Sequence, residues 1–176
     1  MRDLSNVKKF IEASKKLPTT ITSTTVQELC ADKLAAAKIE FFASVGAQCE
    51  PLLKRYQTSS PIAPFLFDDI SYLLRAIMKR FIKQPLLHEA DSVAKLIKID
   101  VNNKESQCNY KEVDVGVGAK KALSQAKLSD AQILSFRMEC LKFLSATAAK
   151  IIERSPLKYP LVRAILYLAP NSSQVH

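Results

Sequence analysis

The chain has 176 residues, 48% of them hydrophobic and 24% charged, proportions of a globular protein able to bury a core rather than of a disordered one. Only 3 glycines and little period-two alternation argue against a sandwich, a barrel or a phosphate-cradling glycine loop. No apolar run approaches the roughly 18 residues of a membrane span, and the charged start MRDLSNVKKFIEASKK holds no signal-peptide core; the expected location is nuclear or cytoplasmic, not secreted.

Residues 1–17 carry Leu4, Val7, Phe10, Ile11 and Leu17 on one face, and Lys8, Lys9, Lys15 and Lys16 largely off it, so a short amphipathic helix is expected. The Thr-rich stretch 18–25, PTTITSTT, reads as a connector, because β-branched hydroxyl residues suit caps better than helix interiors. Thr25 with Glu28 has the spacing of a capping box for the next helix. Its apolar side is Leu34, Ala37, Ile39, Phe41, Phe42 and Val45, and Gly46 and Pro51 mark its end or a kink.

The stretch Pro61–Lys83, PIAPFLFDDISYLLRAIMKRFIK, predicts the central helix. Leu66, Ile70, Leu73, Ile77 and Phe81 recur at three- and four-residue spacing, Phe67, Leu74, Met78 and Ile82 widen the stripe, and Pro85 stops it. The other face carries Arg75, Lys79 and Lys83 with Arg80 at its edge, like charges that cost about 0.2–0.5 kcal/mol per i,i+4 pair. Two readings are open for this cluster: a solvated face near the helix C-terminus, or a footprint for phosphate.

Leu86 and Leu87 form a tethering turn, and Asp91 or Ser92 starts a helical turn through Leu96 and Ile97. Ile99–Tyr110, IDVNNKESQCNY, has turn residues and no helical period and reads as an exposed loop within the region 99–115. A short helix follows Gly116 and Gly118, with Ala119, Ala122, Leu123 and Ala126 inward and Lys120, Lys121 and Lys127 outward. Ser129 caps a long helix, DAQILSFRMECLKFLSATAAKIIER, whose core stripe runs from Ile133 through Phe136, Cys140, Phe143, Leu144 and Ala148 to Ile151 and Ile152. Ser155-Pro156 ends it, and Pro160 begins a last apolar helix.

These elements define an all-α protein, an irregular multi-helix bundle of about six to seven helices with one long central loop. The expected organisation is an N-terminal helix and connector over 1–25, a single helical domain over 26–170 and a tail over 171–176.

Chemistry-bearing groups are sparse. Cys30, Cys49, Cys108 and Cys140 lie far apart with no CxxC pair, and His88 and His176 have no ligand partner four residues away, so no metal site, cofactor or small-molecule substrate is indicated. No serine or cysteine stands in a nucleophile motif, and Asp68-Asp69, Asp100 and Asp114 are read as capping and turn residues; no catalytic residue is assigned. Trp is absent and the Phe residues fall on core stripes, which leaves no base-stacking platform.

The blocks PIAPFLFDDISYLLRAIMKRFIK, KIDVNN, VDVGVGAKKAL, SFRMECLKFL and ERSPLKYPLVRAILYLAP together resemble successive blocks of proteins derived from hAT-superfamily transposases, over about residues 29–170. The resemblance is to the helical insertion that interrupts the RNase H-like catalytic fold, so it implies no catalytic residue here. The Trp that the family's insertion contributes to handling DNA ends is missing. What it implies is either DNA contact through basic faces or association with protein. For DNA the candidate phosphate contacts are Arg75, Lys79, Arg80, Lys83, Lys120 and Lys121, a sequence-tolerant set compatible with the net charge of +9. The alternative is a structural or protein-interaction module, a fragment of a larger polypeptide, that associates with itself or with other chains.

Overall fold

A computed structural model describes residues 21–57 and 65–159 together with Asn6, Lys9 and Ala13, which are helical; the rest of the N-terminal helix expected over 1–17 and the last helix from Pro160 lie outside the described residues. Seven α-helices occur among them: α1 (Ile21–Ala31), α2 (Ala35–Arg55), α3 (Leu66–Met78), α4 (Gln84–Glu89), α5 (Val93–Leu96), α6 (Val117–Gln125) and α7 (Asp130–Arg154). Two 3-10 turns, Tyr110–Glu112 and Pro156–Lys158, complete the set, and the described residues hold no β-strand. The protein is all-α.

The chain divides into two compact units, Met1–Ser44 with Val115–Phe136 and Val45–Asp114 with Arg137–His176. In the first unit Phe41 of α2 meets Phe136 of α7 edge to face, ring centroids 6.4 Å apart. Ala35, Ala37, Ala119, Ala122 and Leu123 are buried in the same unit, mostly small side chains that let backbones approach. Gly116 before α6 has φ 86°, a left-handed backbone that glycine adopts without a Cβ penalty. A Cβ added at Gly118 would meet the Glu40 side chain, whose own Cβ lies 3.2 Å from that position.

Several sequence expectations change here. The Thr-rich stretch is not a connector throughout, since α1 begins at Ile21 and includes Thr24 and Thr25, which puts Thr25 inside a helix rather than at its cap. The helix break comes instead at Asp32, whose Oδ1 accepts the Leu34 N–H at 2.8 Å and whose carbonyl accepts the Ala35 N–H at 3.1 Å, restarting the chain as α2. Gly46 and Pro51 do not end α2, which runs on to Arg55. A proline there leaves the carbonyl four residues earlier without its helical donor, a defect that an exposed helix face supplies with water.

In the second unit the core gathers Leu74, Ile77 and Met78 of α3 with Leu96, Cys140, Leu144 and Ala148, all at or below 3% exposure. The central helix does not reach Lys83. It ends at Met78, and Ile82 forms an isolated antiparallel bridge with Gln107. The Lys83 N–H donates to the Ser106 carbonyl at 3.0 Å, and the Cys108 N–H donates to the Phe81 carbonyl at 2.8 Å. Pairing with the loop, rather than Pro85, stops the helix and buries Phe81 and Ile82 almost completely.

That loop is correspondingly not all exposed. Side-chain oxygens of Asp100, Asn103 and Asn109 each accept a backbone N–H two residues on, three successive Asx turns at 2.9–3.0 Å. They hold Val101 and Val113 buried. The Ser145 hydroxyl of α7 bonds the Val101 carbonyl at 3.0 Å, and Arg137 Nη1 donates to the Lys111 and Val113 carbonyls at 2.9 Å, so α7 straps the loop at both ends.

Other expectations hold. Ser129 and Gln132 make a reciprocal capping box at the start of α7, Ser92 caps α5, and α6 turns Ala119, Ala122 and Leu123 inward with Lys120 and Lys121 outward.

Candidate interaction groove

Because α3 ends at Met78, Arg75, Lys79 and Lys83 do not form a helical stripe. Arg75 is half-buried, and its guanidinium donates to the Leu87 carbonyl at 3.1 Å and to the Ala90 carbonyl, tying α3 to the end of α4. Arg80 is 4% exposed. Its Nε donates to the Asp114 carbonyl at 2.9 Å and its Nη1 to Gln48 Oε1 at 3.4 Å. Burial draws its pKa below the usual arginine value and the nearby Asp114 opposes that shift. Arg80 is therefore a core cation and not a surface contact for phosphate. A buried guanidinium is tolerated because carbonyl and amide oxygens replace its water.

Lys79 and Lys83 are exposed in the second unit, and Lys120 and Lys121 are exposed in the first. The six candidate cations thus reduce to two lysines on each unit.

Several acidic side chains are engaged in structural roles. Asp69 in the first turn of α3 receives Arg55 Nη1 at 2.7 and 2.9 Å, and Asp100 serves its Asx turn. Glu50, Asp91 and Glu153 each sit below the usual carboxylate range, first because a lysine three or four residues away hydrogen-bonds them. No group of three or more His, Cys, Asp or Glu among the described residues could hold a metal ion. Cys49, Cys108 and Cys140 are free thiols, and burial pushes Cys140 up to about 12, away from nucleophilic or redox use.

The feature that sequence reasoning did not foresee is an apolar groove of about 620 Å³ in the second unit. Ile70 and Leu73 of α3 form one wall, Phe143, Thr147 and Ile151 of α7 the other, and Leu52 of α2 also lines it. It is shallow and open to solvent. Ile70, Leu73, Phe143 and Ile151 were expected to be core. Phe143 instead remains 38% exposed, and Ile70, Leu73 and Ile151 are only half-buried, as is Leu52. The available signal was the width of the apolar stripes on α3 and α7, more than one packed face of each helix consumes.

Among the described residues that line the groove, the charged ones are Lys150 and Arg154, both cations. Ser155 also lines it; it is 9% exposed, and its hydroxyl is buried with no hydrogen-bond partner. No helix among the described residues is long and apolar enough to cross a membrane.

No protein-family model, curated protein or solved structure matches the chain.

Proposed function

We propose that this chain is a non-catalytic helical module that works by protein association, with the groove between α3 and α7 as its docking surface for a helix of another polypeptide. The observation that carries this reading is the apolar lining of the groove. Leu52, Ile70, Leu73, Phe143 and Ile151 keep surface in water that a helix laid along α7 would bury. Contiguous exposed apolar surface of this kind marks a site of association. Among the described residues that line it, the titratable side chains are Lys150 and Arg154.

A second reading retains nucleic acid. The net charge of +9 and the exposed Lys79, Lys83, Lys120 and Lys121 support weak, sequence-tolerant phosphate contact. Arg75 and Arg80 have no part in it, being held by carbonyl oxygens.

The immobilised 176-residue chain would serve as bait beside Ala146→Asp, which puts a charge on an exposed groove residue, and Lys79→Glu/Lys83→Glu. The expected result is a protein retained by the wild type and the lysine variant, lost from Ala146→Asp, and bound again when both purified components are titrated. Retention that is indifferent to Ala146→Asp overturns the reading.

A further inference from the structure

The proposal that the groove is a docking surface leaves its occupant's chemistry open, and the following rests on it. We infer that the groove selects an acidic amphipathic helix, about three turns long, which lays leucine-like anchors between α3 and α7 and directs carboxylates at Lys150 and Arg154.

The length comes from α7. Phe143, Thr147, Lys150 and Arg154 line the groove at spacings of four, three and four residues, one continuous stripe. From Phe143 to Arg154 the α-helix makes eleven steps of about 1.5 Å, a trough about 16 Å long. A partner helix of the same length presents three or four side chains on one face, the repeat by which helices occupy grooves. The groove's openness to solvent favours a helix over an extended hydrocarbon ligand. A single acyl chain would leave much of its surface in water, whereas small-ligand pockets enclose most of their occupant.

The sign comes from the rim. Arg154 is exposed and makes no ion pair among the described residues. Lys150 holds Glu153 at 2.6 Å in an exposed pair, an interaction weak enough in water to be exchanged for a partner's carboxylate. No acid lines the groove among the described residues, so a cationic helix would meet unrelieved like charge. Residues 160–176 of this same chain contain Arg163 and no Asp or Glu, which makes them a poor electrostatic match to this rim.

The test uses this 176-residue chain and three fluorescein-labelled peptides of about fourteen residues, roughly three to four helical turns: one with leucines at helical spacing flanked by glutamates, its lysine counterpart and a scrambled glutamate control. Anisotropy at low and physiological salt should show the glutamate peptide binding about tenfold more tightly than the lysine peptide, the gap narrowing as salt rises. Lys150→Glu/Arg154→Glu should invert that preference, and Ala146→Asp should weaken both helical peptides. Vesicles of anionic phospholipid form a further arm. Equal or reversed peptide preference, a scrambled control that binds as well, or binding to vesicles with none to the glutamate peptide would each overturn the inference. A partner retained in a groove-dependent manner alongside no glutamate preference sinks this inference and leaves the docking reading standing. Retention untouched by Ala146→Asp sinks the docking reading itself.

Discussion

Arg80 and Asp114 are joined twice: Arg80 Nε donates to the Asp114 carbonyl at 2.9 Å, and the Asp114 N–H donates to the Arg80 carbonyl at 2.8 Å. The clasp fixes the chain just past the end of α3 to the exit of the central loop. Arg80→Ala would leave the Asp114 carbonyl and Gln48 without their donor in a site 4% exposed. Urea denaturation should show a loss of about 2–4 kcal/mol with the slope unchanged. Lys79→Ala, one residue away and exposed, should stay within about 0.5 kcal/mol.

Gly116 sits at φ 86° and ψ 156°, a region essentially reserved for glycine. Gly116→Ala should lower stability by about 1–3 kcal/mol through backbone strain alone. The thermal midpoint by circular dichroism is the measurement, and an unchanged midpoint would show that the turn relaxes.

Cys140 gives a pH dependence. Its thiol pKa is raised from the usual 9.0 to about 12 by burial. Between those values the folded chain keeps a proton that the unfolded chain has lost, so stability falls with rising pH across that window and is intact below pH 9. The stability difference between wild type and Cys140→Ala should shrink from about pH 8 to about pH 10.5. Thiol labelling at about pH 8 should leave Cys140 untouched until denaturant is added.

The exposed lysines set the limit on nucleic-acid binding. Duplex affinity, where measurable, should fall with a log–log salt slope of about −0.9 per phosphate engaged. Lys79→Glu/Lys83→Glu and Lys120→Glu/Lys121→Glu should each flatten that slope without altering thermal stability. A slope unmoved by both pairs removes phosphate contact by these residues, whereas a protein partner retained by both leaves the groove as the working surface.

Much of this was legible in the residues because it is local. Ser129 with Gln132, Ser92 before α5, and the spacing of Ala119, Ala122 and Leu123 concern groups within four positions of each other, where backbone geometry leaves little choice. The start of α1 misled because Thr24 and Thr25, weak helix formers, are helical all the same.

The candidate site was legible only in part. Helical periodicity correctly put an apolar stripe on α3, but its end depends on a bridge to Gln107, more than twenty positions onward, which took Lys79, Arg80 and Lys83 off the helix. Arginine is rarely buried, so nothing at positions 75 and 80 announced that carbonyls of residues 87, 90 and 114 would claim their guanidinium groups.

Composition and periodicity therefore suffice for an all-α, basic protein and for the inward face of each helix, since those follow from charge and from the 3.6-residue repeat. Whether an inward face is fully covered is a property of neighbours brought from distant positions. Phe143 and Leu144 are adjacent in one stripe of α7, yet Leu144 is sealed and Phe143 stays 38% exposed, and that difference, set by packing, makes a groove out of what reads as core.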